Sequence, residues 1–293
     1  MRRVAYLAGP SFRGVANAPG TTHPMDVENL ALLRAAGAEQ GLAFDVVFWD
    51  EATLPQQGYD LAVIRTCWDY HERPAAFIAT LEAHECAGLP VLNAPDVVRW
   101  NSRKTYLKEL GPSAIETVWA ERADAAAVTQ AFDALGADDI VVKPQVGGGS
   151  VETIRLQRGA WHEADLAHGP RGPAMIQAYL KAIETEGELS LIWFGGQYSH
   201  CVRKVPQSGD WLANQPGKTR FIAETAPRAA IEAAEAARAH APQGLLYVRI
   251  DLVLGDDGAW RVIEIEAIEP HLFLDLGADA PRLFAGAIAR VLG

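Results

Sequence analysis

A chain of 293 residues is long enough for two or three lobes with cores of their own, and a hydrophobic content of 49% is that of an ordinary globular protein. A formal net charge of −11 argues against sequence-independent nucleic-acid binding, which needs a basic surface, but leaves room for a small anion in a local basic pocket. Residues 4–8 are too short an apolar run for a secretory h-region, no stretch reaches the length of a membrane span, and Cys67, Cys86 and Cys201 show no metal-binding spacing; a cytoplasmic protein with reduced thiols is expected.

In chain order, residues 4–8 read as a strand. Val27, Leu30 and Leu33 have helical spacing within residues 25–41. Residues 44–49 and 61–65 read as strands, 75–87 as a helix closed by Gly88 and Pro90, and 90–93 as a further strand. This alternation predicts an open, largely parallel α/β sheet. Asn101 or Ser102 is placed to cap a short helix through Leu110, and Val128, Phe132 and Leu135 mark a helix ending at Gly136. Strands 140–143 and 151–156 flank a glycine loop, 159–173 reads as a loop, and 174–180 reads as a strand. The last third is β-rich. Strands 189–194 and 197–205 flank Gly195-Gly196, a two-residue hairpin signal. Residues 206–220 read as a polar loop and 226–241 as an alanine-rich helix. Strands 247–255 and 260–267 form a second hairpin, and Asp279 and Pro281 open a terminal helix.

Period-two alternation puts Glu264 and Glu266 on one strand face, and the hairpin brings Asp251 opposite them. Three carboxylates on one face repel, and hard oxygen ligands favour Mg²⁺; a solvated acidic face is the plain alternative. The apolar neighbours Ile250, Leu252 and Val253 weigh against that alternative. Lys143 ends the apolar run Ile140-Val141-Val142 and must reach water or meet an anion. The following Gly147-Gly148-Gly149-Ser150 can turn backbone N–H groups on phosphate oxygens, or simply link two strands. Lys104 is a second candidate cation or a surface lysine. Arg203, Lys204 and Arg249 add positive charge on β segments, or pair with structural carboxylates. Gly217-Lys218-Thr219 imitates the end of a P-loop, but Leu212 stands where that motif needs glycine, so a Walker-type NTPase is rejected. Arg65, Thr66, Trp68, Asp69 and Tyr70 follow a strand end, where open α/β sheets bind substrates. Packing by Trp68 and Tyr70 and capping by Asp69 are the alternative. His23 and Asp26 are further candidates, although a cap explains Asp26.

These pieces resemble the ATP-grasp superfamily, in its glutathione synthetase-like branch, over most of the chain. The resemblance runs most clearly from Gln177-Ala178-Tyr179-Leu180 to Glu264-Ile265-Glu266-Ala267-Ile268-Glu269-Pro270. Arg65-Thr66-Cys67-Trp68-Asp69-Tyr70 and Trp100-Asn101, with Lys104-Thr105-Tyr106-Leu107, resemble a narrower group, the O-ureido-serine cyclo-ligases of D-cycloserine biosynthesis and their relatives. The resemblance implies an ATP-grasp fold, α/β with α+β lobes. Its parts would be an N-terminal open α/β pre-ATP-grasp domain (1–100), a central lid subdomain (101–180) and a C-terminal subdomain carrying the Mg²⁺ site (181–293).

At matching positions, it implies that Lys104 and Lys143 contact ATP, Lys143 near the α-phosphate, and that Gly147, Gly148, Gly149 and Ser150 fold over the phosphates. Gln177, Ala178, Tyr179 and Leu180 would pair with adenine, and Glu188 would bind the ribose. Asp251, Glu264 and Glu266 would hold two Mg²⁺ ions, although relatives often carry asparagine at the last position. Arg203, Lys204 or Arg249 would stabilise the phosphoryl group or the tetrahedral intermediate. Ser190 stands where glutathione synthetase has an arginine, which argues against glutathione synthesis. The implied activity is an ADP-forming carboxylate–amine ligase acting through an acyl phosphate, with ring closure as in D-cycloserine formation as one form of it. A small-molecule kinase and a non-catalytic ATP-binding module are the alternatives. The implied partners are small-molecule carboxylates and amines, without nucleic acid or membrane, and superfamily members are often homodimers.

Overall fold

The computed structural model describes residues 1–9, 24–213 and 217–293; His23 and the stretch 214–216 of the expected 206–220 loop lie outside these. Strands β1 (Arg2–Ala8), β2 (Leu42–Phe48), β3 (Leu61–Thr66) and β4 (Val91–Leu92) form a sheet in the order β2-β1-β3-β4, with every pair parallel. Helices α1 (Pro24–Glu39) and α2 (Pro74–Cys86) cover its two faces. Alternate residues of β1 and β3 therefore pack in opposite directions. Val4, Tyr6, Leu61 and Val63 meet Leu30 and Leu33 of α1, while Ala5, Leu7, Ala62 and Ile64 meet Phe77 and Leu81 of α2. Burial on both faces is why these strands read as continuous apolar runs.

Helix α3 (Pro95–Asn101) and a 3₁₀ run over Lys104–Ser113 come next. Asn101 thus closes a helix rather than opening one. Pro95 occupies its first turn, and the Asn101 side chain is engaged elsewhere. Its amide donates to the Ile265 carbonyl at 2.7 Å, and its oxygen accepts from the Ala267 N–H at 2.8 Å.

A second sheet has the order β5-β8-β6-β7, from β5 (Thr117–Ala120), β6 (Asp139–Pro144), β7 (Ile154–Gln157) and β8 (Ala174–Ala178), all antiparallel. Helix α4 (Ala125–Leu135) packs on it, capped by the Asp124 carboxylate at the Ala127 N–H (2.9 Å). Strand β5 was not expected. Strand β7 starts later than residue 151, so residues 151–153 belong to the glycine loop, where Gly149, Ser150 and Glu152 all take positive φ.

The third sheet has the order β11-β10-β9-β12-β13. It is built antiparallel from β9 (Glu188–Phe194), β10 (Gln197–Pro206), β11 (Thr219–Glu224), β12 (Tyr247–Leu254) and β13 (Trp260–Glu266). Gly195 and Gly196, at φ 53° and 82°, make the tight β9–β10 turn that the sequence signals. Strand β11 overlaps the expected 206–220 loop only at Thr219 and Arg220, and residues 221–224 carried no expected element. It is an edge strand with no fully buried side chain, and its short Phe221-Ile222-Ala223 run does not alternate. Helices α5 (Ala182–Thr185), α6 (Arg228–Arg238) and α7 (Ala280–Leu292) complete the chain.

The cores bind distant segments together. Phe284 and Ile288 of α7 share a cluster with Leu30 and Leu33 of α1, while Val97, Tyr106 and Leu107 pack with Ala230 and Ala234 of α6 beneath the third sheet. Among the described residues, no helix is long and apolar enough to cross a membrane.

Candidate active site

A cleft of about 970 Å³ opens between the second and third sheets. The second sheet and its continuation contribute Lys143, Gly147, Gly148, Gly149, Ser150, Gln177, Ala178, Tyr179 and Leu180; the third contributes Glu188, Asp251, Glu264 and Glu266; Lys104 arrives from the 3₁₀ run. Every residue expected at a nucleotide or metal therefore lines one cavity. Among the wall residues that the sequence reading did not assign to a site are Trp211, Leu212 and Ala213. Their only signal was an apolar triplet inside a polar loop.

The two lysines differ in their surroundings. Lys104 is buried. Its Nζ donates to the Gly147 carbonyl at 2.6 Å and pairs with Glu264 at 2.8 Å, tying the glycine loop to β13. Burial works against its charge, but Glu264, Glu266 and Glu269 outweigh burial and hold the ammonium above the ordinary lysine value. Lys143 has no ion-pair or hydrogen-bond partner among the described residues. Burial pushes it down to about 8, and Lys104 adds to the drop while Glu264 opposes it.

Beneath the cleft, charges alternate across four strands, following the pairing register. Lys204 faces Glu188, Asp251 faces Ser190, and Arg249 faces Glu266. Lys204 is fully buried, touches Glu188 and lies 3.0 Å from Asp251 Oδ2. Asp251 accepts Ser190 Oγ at 2.6 Å and Arg249 through both Nε and Nη2 at 2.9 Å. Arg249 also reaches Glu266 and donates to the His271 carbonyl at 3.1 Å. Burial alone would raise the Asp251 carboxyl, but Arg249 and Lys204 overcome it and hold Asp251 well below the usual carboxylate range. Burial pushes both Glu188 and Glu266 up to about 7, against their cationic neighbours.

The three acids expected at a metal line this cleft together, each already engaged by a cation. Among the described residues, no three His, Cys, Asp or Glu side chains form a group that could hold a metal ion, and the Asp251 oxygens are occupied by Ser190, Lys204 and Arg249. Glu264 and Glu266 do share the cleft face of β13. Burial, then Glu266 and Glu264, lifts nearby Glu269 well above the carboxylate range. Glu264, Glu266 and Glu269 offer oxygen donors alone, the kind a hard divalent cation takes. The edge of β13 is fastened where these acids sit. Besides Asn101, the Tyr106 hydroxyl bonds to the Ile265 carbonyl at 2.8 Å.

A second cleft, of about 1670 Å³, meets the first and shares with it Gly147, Gly148, Gly149, Val151, Glu264 and Glu266. Trp68 and Tyr70 line it, as expected for substrate residues. Arg65, Thr66 and Asp69 do not. Arg65 is buried beside it, donating to the Pro270 carbonyl at 2.6 Å and lying 4.9 Å from the Tyr247 ring centre. Thr66 is buried at the end of β3, and Asp69 accepts from Trp49 Nε1 and Arg73, each at 3.1 Å. Asp26 lines the second cleft and accepts the Trp68 indole N–H at 3.2 Å, so more than capping accounts for it. His71, Glu269, His271, Phe221 and Phe273 complete walls that the sequence did not reveal, although Glu269 directly follows the acidic strand.

Of the three candidate catalytic cations, Arg249 lines this second cleft. Lys204 is sealed beneath the floor. Strand alternation turns Arg203 the other way, to Glu224 at 2.9 Å and the Glu186 carbonyl. Gly217-Lys218-Thr219 leads into β11 rather than joining a strand to a helix, in keeping with rejection of a P-loop.

A family profile described as "D-cycloserine synthetase DcsG, N-terminal domain" matches residues 15–93. Cycloserine biosynthesis protein DcsG of Streptomyces lavendulae is 32% identical over 288 residues, which cover 92% of this chain and 95% of that protein. The crystal structure of D-cycloserine synthetase DcsG superposes with a TM-score of 0.82 at 27% identity, covering 99% of this chain and 100% of that one. The ATP-grasp ligase PsnB, solved with a precursor variant, Mg and ADP, shares the fold with a TM-score of 0.64 at 17% identity, 99% of each chain being covered. The chain belongs to the D-cycloserine synthetase family of ATP-grasp ligases, ATP-dependent, ADP-forming enzymes that join a carboxylate to an amine.

Proposed function

We propose that the first cleft holds ATP, the second holds the carboxylate to be activated, and phosphoryl transfer occurs at the wall they share. That shared wall of Gly147, Gly148, Gly149, Glu264 and Glu266 is the observation that carries the reading. Lys104, Lys143 and the loop from Gly147 to Ser150 take the phosphates. Gln177, Ala178, Tyr179 and Leu180 take the adenine edge, and Glu188 takes the ribose hydroxyls. Glu264 and Glu266 would hold the two Mg²⁺ ions. Asp251, which lines the same cleft, would be the third acid of that set. A divalent ion held there would screen the phosphate charge that the acids would otherwise repel.

The chemistry has two steps. A substrate carboxylate oxygen attacks the γ-phosphorus and ADP leaves; an amine-type nitrogen then attacks the acyl phosphate carbonyl and phosphate leaves. Arg249, at the second cleft, stabilises the charge on the transferring group and on the tetrahedral intermediate. Residues 101–180 act as a lid whose glycine loop closes between the clefts and keeps water from the acyl phosphate, with residues 1–100 presenting Trp68 and Tyr70 and 181–293 presenting the acids. Likeness to the cycloserine enzyme supports an intramolecular version, with carboxylate and nitrogen in one ureido-amino acid and ring closure as the outcome. The enzyme works in the cytoplasm on small molecules, without nucleic acid or membrane, as a homodimer.

Release of ADP and phosphate, screened over amino acids, D-amino acids and ureido-amino acids, tests this. ADP formation that depends on one acceptor class, together with a cyclic or amide product, is expected. AMP and pyrophosphate would sink the reading, and a stable phosphorylated product would make the enzyme a kinase.

A further inference from the structure

A third cavity, of about 890 Å³, lies at the hairpin end of β9, about 20 Å along that strand from Glu188. The Gly195-Gly196 turn, the loop around Gln243 and Gly244, and the last turns of α6 and α7 enclose it. Arg238 and Arg290 line it, and no Asp or Glu does. Neither guanidinium has an ion-pair or hydrogen-bond partner among the described residues, and the buried Nε of Arg238 has no acceptor. This contrasts with Arg155, Arg158, Arg203 and Arg249, each held by at least one carboxylate.

Each arginine sits near the C-terminus of its helix, where a cation favours the free carbonyls. That explains each one separately. It does not explain why two converge on one acid-free cavity in a chain of net charge −11, or why an N–H is buried without an acceptor. A water could serve the Nε but would leave two like charges facing the same space. Glycine at the turn lets Arg290 lie close: a Cβ on Gly195 would fall 3.1 Å from Arg290 Nη2.

We propose that this cavity binds a small oxyanion, phosphate or carboxylate, in the guanidinium forks of Arg238 and Arg290 with Gln243 beside them. Planar forks with several N–H donors suit such anions, and the bond is charge-assisted. The site is separate from both catalytic clefts, with which it shares no lining residue.

The test is titration of the full-length protein, its nucleotide cleft saturated with ADP, with inorganic phosphate and in parallel with succinate, followed by amide NMR. Saturable shifts of Gly195, Gly196 and Gly244 are expected for at least one anion, and the tighter one identifies the ligand chemistry. In R238Q/R290Q, the dissociation constant should rise at least tenfold while ligase turnover is unchanged. An unchanged constant in that variant, absence of shifts at those amides, or shifts confined to Gly147, Gly148 and Gly149 would each overturn the proposal. If the double variant does not fold, the amide map on the wild-type protein decides alone.

Discussion

Replacing Asp251 by asparagine separates two descriptions of the acids. Asp251 is 2% exposed and receives hydrogen bonds from Ser190, Lys204 and Arg249, with Arg249 bound through two nitrogens. An asparagine side chain there would keep one acceptor oxygen but leave a buried ammonium and a buried guanidinium without their shared anion. Breaking a buried ion pair from one side costs about 3–5 kcal/mol. Because Glu188 and Glu266 still offer partial compensation, the lower end applies, and the melting temperature should fall by on the order of 10 °C. The opposite sign follows if Asp251 were only one of several mutually repelling acids awaiting a metal: neutralising it would then stabilise the metal-free protein. Urea unfolding in EDTA, with the denaturant slope unchanged, measures the difference. A midpoint at or above wild type would refute the ionic-ladder account. The pH dependence has a definite sign. Cations hold Asp251 below its unfolded value, so its stabilisation is complete above about pH 4 and is lost as pH falls through the lower folded value. D251N should lose that acid limb. In a double-mutant cycle with K204M, the two losses should be less than additive by about 1–3 kcal/mol.

Lys143 should titrate within reach of ordinary buffers. With the free ammonium pushed down to about 8 and phosphate raising it, ATP binding at about pH 8.5 should take up a proton and affinity should fall as pH rises past that value; binding enthalpies that do not vary with buffer ionisation heat would contradict this. Trp211 lines the nucleotide cleft with its ring 6.2 Å from Tyr179, so ATP should change the fluorescence lost in W211F, and W211A should raise the KM for ATP about tenfold with kcat nearly kept. N101A should orphan the Ala267 N–H at the edge of β13, lowering stability by about 1–3 kcal/mol and raising the Mg²⁺ concentration needed for half-maximal ADP formation. An unchanged Mg²⁺ requirement would separate Asn101 from the positioning of Glu264 and Glu266.

Much of the lining of the first cleft was legible because its signals are local. Lys143 at the end of an apolar strand, glycines next to it and acids two apart on β13 each announce themselves within a few residues. The β9–β10 hairpin was legible for the same reason. What escaped depends on register and on approach of distant segments. That Lys204 is sealed between Glu188 and Asp251, while neighbouring Arg203 faces outward, follows from strand pairing, which one sequence does not reveal. Asn101 has the composition of a cap, and only the nearness of β13, 164 positions along the chain at Ile265, turns it into an edge clamp. Strand β11 is a short edge strand with no fully buried side chain, and its Phe221-Ile222-Ala223 run shows no alternation that would mark it as a strand. In the second cleft, the motif from Arg65 to Tyr70 located the wall, but strand-end geometry selected Trp68 and Tyr70 to face it.

The shared wall also explains why the two lysines are prepared differently. Lys104 already has an anion, Glu264, and a backbone acceptor, Gly147, so it is charged before any ligand arrives. A cation taken up by Glu264 removes that partner, and a phosphate oxygen can replace it without exposing a new charge to a low-dielectric setting. Lys143 has no such partner among the described residues and is the cheaper of the two to neutralise. The polyphosphate is therefore its first strong anion. The glycine loop is held at Gly147 by the Lys104 ammonium, so on the proposed reading a phosphate that took this ammonium would loosen the loop where it borders the second cleft. The proposed function would then link nucleotide and acceptor through Lys104, the loop becoming free to close over the carboxylate only when there is a phosphoryl group to transfer.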